Sequence, residues 1–396
     1  MSSHMVVIGE SQPAGLPSCD AAINPPRRRF WRMLASRTSA ALEWTFGTLS
    51  LVVALAVLAT IPVVQLLSLG YLLEVSGRVA RLGRVREGLA VGTVKAAVLG
   101  RIAVGVSILM IPLWIASSLR FSARLIDPES RAARGWGAAL VVLSVLVLVQ
   151  IVSAMLRGGR IRHFLIPLPI KSLRLALEPG AYQRARDEVC DFLIGLRLPY
   201  YFWLGLRGFV GAAAWLVVPV SMLAAASRLR PPAGALVGLI GGALLALVLV
   251  HLPFLQARFA EERRLGAMFE LRALRRRFTR APLAFFVALA FTLVLALPLY
   301  LLKIEIVPRE AAWLPSLMFV VSIFPARVLT GWALARANKR ERPRLWLWRW
   351  TSRLAMLPLV AAYVFLVYFT QYLSWYGVWS LYEQHAFLVP APFLGL

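Results

Sequence analysis

Acidic side chains are scarce in this sequence, and the residues that usually carry enzyme chemistry are few. The 396 residues include 18 Asp and Glu, four His and two Cys, and neither Cys19 nor Cys190 belongs to a C-x-x-C pair. A disulfide framework or a zinc site is therefore not supported. No H-E-x-x-H, G-x-S-x-G or Walker motif occurs, and these absences favour a protein that is not an enzyme and holds no cofactor.

Apolar residues, by contrast, are abundant. They make up 60% of the chain and charged residues 16%, whereas soluble domains have about 45–50% and about 25%. Seven stretches reach the roughly 20 apolar residues that cross the hydrocarbon of a bilayer. They are residues 102–119, 136–156, 208–226, 233–256, 281–302, 314–335 and 354–376, and none of them contains Asp or Glu. This pattern predicts an all-α, multi-pass helix bundle integral to the cytoplasmic (inner) membrane.

The domain organisation follows from the same pattern. Residues 1–43 are basic and without periodicity, and we predict a disordered tail. Residues 44–376 are predicted to form a single transmembrane domain, because the connections between spans are too short for a separate soluble domain. Residues 377–396 are apolar but follow the last span, so we expect a C-terminal tail at the membrane interface.

The first apolar stretch, Trp44 to Leu73, contains Pro62. A proline inside a helix removes a backbone hydrogen bond and clashes with the preceding turn, so we predict a break near Ile61 and Pro62. The stretch then forms either one long tilted span or two half-helices that enter and leave on the same side. A hairpin puts 33 Lys and Arg on one side of the membrane and 8 on the other, whereas a full crossing gives 28 and 13. Positive residues concentrate on the cytoplasmic side, which favours the hairpin.

Three basic connections on that side have helical apolar periodicity. The apolar positions are Leu72, Val75, Val79 and Leu82 in the first, Tyr182, Ala185, Val189, Phe192, Leu193 and Leu196 in the second, and Ala267, Leu271, Leu274 and Phe278 in the third. Such segments are typical of helices that lie among anionic headgroups. Loops that merely obey the charge rule are the alternative.

A weak internal repeat pairs Pro62 with Pro253 and Pro112 with Pro298, each followed or preceded by similar apolar sequence. The segments SLGYLLEVSGRVARLGR and ARFAEERRLGAMFELRALRRRF resemble those of an uncharacterised bacterial family of multi-span membrane proteins. The resemblance covers roughly residues 44–302. It implies a hairpin-like first segment and a basic amphipathic connection in each half, and it carries no known activity.

Three arginines in or beside the spans are candidate contacts for anionic headgroups: Arg327, Arg101 and Arg207. Arg327 lies well inside a span, where an arginine costs from about 2.5 kcal/mol upward unless it has a partner or water. The other two are placed at span ends and can reach headgroups by extending along the helix. The run RPRLWLWRWTSR, from Arg342 to Arg353, interleaves Trp with Arg, which suits membrane anchoring or headgroup binding.

Gly234, Gly238 and Gly242 recur at four-residue steps along one predicted span. Small residues at this spacing let two helix backbones approach closely in a membrane. The ladder predicts either packing within the chain or a homodimer. His251 is the only histidine in a span, and we interpret it as a residue hydrogen-bonded to a neighbouring helix.

The leading functional hypothesis is a non-enzymatic membrane protein that binds or moves an anionic lipid or another amphiphile, with membrane lipids as its partners. The alternative is a scaffold or assembly subunit that gathers membrane protein partners, and the third is an intramembrane enzyme built around His251. The net charge of +26 is also compatible with nucleic-acid binding. The basic residues are spread over many connections rather than one soluble face, so no nucleic-acid partner is predicted.

Overall fold

The computed structural model describes residues 26–89, 92–166, 174, 177–301, 313–374, 377–382 and 387–388. Across these residues it is helical and contains no strand, as predicted. The α-helices are α1 (Pro26–Thr60), α2 (Gln65–Leu82), α3 (Val85–Leu89), α4 (Thr93–Ile126), α5 (Arg131–Leu156), α6 (Ile161–Leu165), α7 (Ala181–Gly195), α8 (Leu198–Ala226), α9 (Pro231–Glu262), α10 (Leu271–Arg280), α11 (Pro282–Leu301), α12 (Trp313–Asn338) and α13 (Trp346–Leu373). Two 3-10 helices, Leu265–Met268 and Gly377–Tyr382, accompany them.

Eight of the described helices are long and apolar enough to cross a bilayer. Seven of them, α4, α5, α8, α9, α11, α12 and α13, contain the predicted spans, apart from one to three residues at some ends, where helix boundaries are least certain. The eighth is the part of α1 from Arg37 to Thr60. The helical, multi-span architecture expected from composition is therefore confirmed.

The predicted break in the first apolar stretch is present. The helix α1 ends at Thr60 and α2 starts at Gln65, with Val63 between them at a φ of 69°. A β-branched residue rarely adopts positive φ, so the packing around this turn holds an unfavourable backbone conformation. The break falls where Pro62 predicted it.

The chain reverses direction at this turn. The Ser68 hydroxyl of α2 donates a hydrogen bond to the Leu55 carbonyl of α1 at 2.8 Å, which requires the two helices to run back along each other. A methyl group added at Gly47 would lie 2.8 Å from the Thr93 carbonyl oxygen, so this part of α1 lies beside the start of α4. A reversal is what the hairpin requires, but the arm from Arg37 to Thr60 is itself long and apolar enough to cross a bilayer, so the choice between a hairpin of half-helices and a full crossing stays open. The side of the membrane on which this turn lies also stays a prediction.

The helix α2 is the centre of the bundle and not an amphipathic helix on its surface. Leu72, Val75 and Val79, the predicted lipid-facing positions, are fully buried, and α2 packs against α8, α9 and α12. The prediction of an interfacial helix was wrong for this segment. Its apolar stripe faces other helices, and its arginines reach the end of the bundle.

Glycines explain how so many helices approach α2. A methyl group at Gly70 would overlap the Tyr201 carbonyl of α8, and one at Gly205 would overlap the Leu66 carbonyl of α2. A methyl group at Gly77 would likewise lie against the backbone of Ala260 in α9. Close backbone contact at small residues is the main packing mode available to helices in lipid.

The two other amphipathic segments are both helical but differ in their surroundings. In α7 the apolar residues Tyr182, Val189 and Leu193 are exposed, so its stripe is free to meet a membrane surface. In α10 Leu274 is buried and Phe278 packs on Phe285 of α11. The stripe of α10 is therefore covered by protein, which corrects the expectation that it faces headgroups.

The helices α4 and α5 form a pair that makes little contact with the rest of the bundle. Only 11% and 17% of the residues in their most apolar windows are buried. In a membrane, lipid tails cover such surfaces at no cost. This pair is therefore the part of the described chain most surrounded by lipid.

Both predicted tails include ordered residues. The helix α1 begins at Pro26, inside the predicted N-terminal tail, and residues 1–25 lie outside the described residues. In the C-terminal tail, Leu381 and Phe387 are fully buried, because this segment folds back onto α8 and α13. It is not a simple interfacial tail where it is described.

The proposed repeat is not reproduced at its first proline pair. Pro62 lies in the turn between α1 and α2, whereas Pro253 lies inside α9. Pro112 and Pro298 both lie inside helices, α4 and α11. A duplicated origin stays a prediction.

Candidate functional site

Arg327 does not lie on a lipid-facing surface. It is 2% exposed, and its guanidinium donates through Nη1 to the Gln256 side-chain oxygen at 2.7 Å and through Nη2 to the Phe387 carbonyl at 3.5 Å. Among the described residues no carboxylate lies within ion-pair distance of it. The C-terminal segment covers this arginine, so a lipid headgroup cannot reach it in this arrangement.

The two other predicted arginines lie elsewhere. Arg101 is half-buried on α4 and Arg207 is exposed on α8. Arg207 borders a cleft of about 280 Å³ together with Trp203, Tyr200 and Arg263. The contacts of the described residues do not join any two of the three predicted arginines, so they do not form one site.

A large groove opens between α9 and α13 and is closed on one side by α10 and α11. Its volume is about 840 Å³, within the range of about 300–1,000 Å³ typical of ligand sites. Its walls are almost entirely apolar. They include Leu247, Val250, Phe254, Leu357, Val360 and Ala361.

Cationic side chains occupy one end of this groove. Arg275 of α10 and Arg353 of α13 line it there, together with Trp350 and His251. The Arg353 guanidinium lies 5.6 Å from the centre of the Phe278 ring, a distance at which cation and ring attract. Neither arginine forms an ion pair with a described carboxylate. The apolar groove therefore ends at two positive charges that have no acidic partner among the described residues.

His251 also lines the groove, one turn from Leu247. Its Nδ1 lies 2.7 Å from the Leu247 carbonyl. A carbonyl only accepts, so Nδ1 carries the proton and Nε2 is the free acceptor of the neutral ring. The histidine is bonded within its own helix rather than to a neighbouring one, and the polar residues that line the groove with it are Arg275, Arg353 and Trp350.

Only one glycine of the predicted ladder lies at a close helix contact. A methyl group at Gly234 would lie 2.7 Å from the Ala226 carbonyl oxygen, and one at Gly241, outside the ladder, 3.0 Å from Met222 Cβ. At Gly238 and Gly242 the nearest atoms would be 3.4 and 3.6 Å away, which is ordinary contact. These two border a second groove of about 760 Å³ between α9 and α13.

A buried carboxylate on α2, which was not singled out from the sequence, forms a cluster of polar contacts with α8 and the end of α9. Glu74 is 6% exposed and accepts hydrogen bonds from Arg81 and from the Tyr200 hydroxyl, both at 2.6 Å. Arg263 lies 3.6 Å from the same carboxylate and 5.4 Å from the Tyr200 ring centre. This cluster ties α2 to α8 and to the end of α9.

A second ionic cluster follows directly along the chain. Arg258 is 4% exposed and pairs with Glu262 at 2.8 Å and with Glu270. The side-chain hydrogen bond to Glu262 raises the pKa of Arg264 above its ordinary value. Several of the few acidic residues are used here, in the segment ARFAEERRLGAMFE. The ion-pair network was not predicted from the sequence, although the concentration of acids among arginines in this segment is a signal that could have indicated it.

The fold and the groove define a polytopic membrane helix bundle. An apolar groove with a cationic end lies in its side. Comparison with known proteins adds no closer assignment, since no family model, no curated protein and no solved structure matches this chain.

Proposed function

We propose that this protein binds an anionic amphiphile, in its simplest form an anionic phospholipid, in the groove between α9 and α13. The proposal depends on one observation, which is that the apolar groove ends at Arg275 and Arg353. The apolar chain of the ligand lies along the groove, and its anionic group meets the two guanidinium groups.

In this arrangement the charge of the headgroup determines which lipid binds more tightly. Moving a lipid tail from the bilayer into an apolar groove gains little, because lipid tails are as apolar as leucine. Guanidinium groups form charge-assisted, often bidentate hydrogen bonds with phosphate. An anionic lipid is therefore favoured over a zwitterionic one of the same chain length by the two arginines rather than by the groove.

The test is native mass spectrometry of the full chain purified with its bound lipid. Each charge-assisted hydrogen bond contributes about 1.5–3 kcal/mol, so Arg275→Gln combined with Arg353→Gln should lower retention of phosphatidylglycerol by at least about tenfold. Arg272→Gln is the matched control, since Arg272 lies on the same helix, is exposed and does not line the groove. Equal retention in all variants would remove the proposal.

A scaffold or assembly subunit is the second candidate. It is supported by α4 and α5, whose apolar surfaces are uncovered by the described part of the chain. The same spectra report stoichiometry. A stable dimer or larger assembly without specific lipid would favour this candidate over lipid binding.

A further inference from the structure

The two grooves between α9 and α13 are parts of one continuous track. The first ends at Arg275 and Arg353, and the second extends toward the other end of both helices. They share three wall residues, Ala243, Ala246 and Ala361. A ligand that enters at the cationic end can therefore continue into the second groove without leaving the protein surface.

The track is long enough to pass through the whole bilayer core. Its walls on α9 extend from Pro231 to Phe254, which at 1.5 Å per residue is about 35 Å. The hydrocarbon core of a bilayer is about 30 Å thick. A phospholipid tail occupies only one leaflet, so a single such lipid would fill only part of the track.

Charge distinguishes one long ligand from two short ones. Two phospholipids, one in each leaflet, would place a headgroup at each end of the track. The cationic end has Arg275 and Arg353, whereas the polar residues lining the other end are Ser227, Tyr368 and Tyr372. Arg228 and Arg230 lie in the adjacent turn but do not line the track. The wall is thus built for one anionic group and one long chain.

We infer that the ligand is a single-chain anionic amphiphile whose apolar chain extends through both leaflets, the form of a long polyprenyl phosphate. This inference rests on the proposed function and narrows its substrate class. The phosphate meets Arg275 and Arg353, and the chain passes Ala243 and Ala246 to reach the wall at Gly242 and Gly238.

Gly242 is the position that tests chain length. It lines only the second groove, and a methyl group there meets nothing closer than Val364 at 3.6 Å. Gly242→Leu should therefore fill the far half of the track without separating the helices. Ala235→Leu, also in the far half, serves as a second variant should Gly242→Leu lower the melting temperature. Gly135→Leu is the control, since a methyl group at Gly135 meets no atom within 4 Å.

The experiment measures binding of undecaprenyl phosphate and of farnesyl phosphate to the full chain in detergent. We expect Gly242→Leu and Ala235→Leu to weaken binding of the long-chain phosphate by about tenfold or more, and to leave the short-chain phosphate unchanged. Arg353→Gln should weaken both. Equal affinity for both phosphates, unaffected by the two far-end variants, would overturn the inference while leaving anionic lipid binding intact.

Two further outcomes distinguish failure of the single-chain ligand from failure of the proposed function. Retention of two phospholipids per chain, one of them lost in Gly242→Leu, would overturn the single-chain ligand in favour of one lipid per leaflet. Binding of neither phosphate, with no effect of Arg353→Gln on retained phospholipid, would overturn the proposed function itself.

Discussion

Arg327 and Gln256 meet inside the bundle, where the guanidinium donates to the amide oxygen at 2.7 Å. Both side chains are almost fully buried, and the amide NH₂ group of Gln256 donates in turn to the Phe387 carbonyl at 2.9 Å. A cation is thus held by neutral dipoles, and the same dipoles fix the C-terminal segment against α9 and α12.

Removing the amide should therefore destabilise the fold. Gln256→Leu leaves the guanidinium without its side-chain acceptor, at a cost of about 1–3 kcal/mol. The double variant Gln256→Leu with Arg327→Leu should recover part of the loss, because apolar replacement of a buried polar pair is often neutral. Thermal unfolding in detergent measures both, with exposed Gln183→Leu as the control. A wild-type melting temperature for Gln256→Leu would contradict this account.

Tyr200→Phe tests the buried carboxylate of Glu74. It removes the hydroxyl that donates to Glu74 at 2.6 Å and keeps the ring that packs beside Arg263. Hydrogen bonds to charged groups contribute about 1.5–3 kcal/mol, and we expect a loss of that size. Tyr182→Phe, at a tyrosine 79% exposed, should be neutral. If both variants unfold at the wild-type temperature, the hydrogen bond from Tyr200 to Glu74 does not stabilise the fold.

Gly70→Ala and Gly205→Ala test the contact between α2 and α8. A methyl group at either position overlaps a backbone carbonyl, and carbonyls cannot move aside as a flexible side chain can. Overpacking of this kind costs about 1–3 kcal/mol, so both variants should melt lower. Gly135→Ala has open space around it and should be unchanged or slightly more stable. Equal stability of all three would mean that the two helices are not packed this closely.

Cys190 gives a direct test of topology. It is an exposed free cysteine on α7, and the charge distribution predicts that this helix is cytoplasmic. With Cys19 replaced by Ser, a membrane-impermeant maleimide should label Cys190 only after permeabilisation. In a cysteine-free background, Ser227→Cys, exposed in the turn before α9, should react in intact cells. The reversed pattern would invert the predicted orientation.

The spans were predictable because apolar length alone determines them, and the break at Pro62 was predictable because proline has a local effect. The role of α2 was not, since Leu72, Val75 and Val79 give the same periodicity whether they face lipid or protein. Arg327 was rightly recognised as a cation that needs a partner, but Gln256 is distant in sequence and neutral. Headgroup binding at the basic run that ends at Arg353 stays a prediction, and the groove beside Arg353 was not predictable because it requires α9 and α13 to be placed in space.

The central position of α2 also constrains how the protein is made. The helix is synthesised more than a hundred residues before α8, which supplies both the backbone contact at Gly70 and the hydroxyl that meets Glu74. Until α8 emerges, that carboxylate has Arg81 of its own helix but no tyrosine donor, and burying a charge with a partner missing is costly. Newly made α2 is therefore expected to wait at the membrane surface and to enter the bundle late. We therefore expect the order of helix packing to differ from the order of helix synthesis.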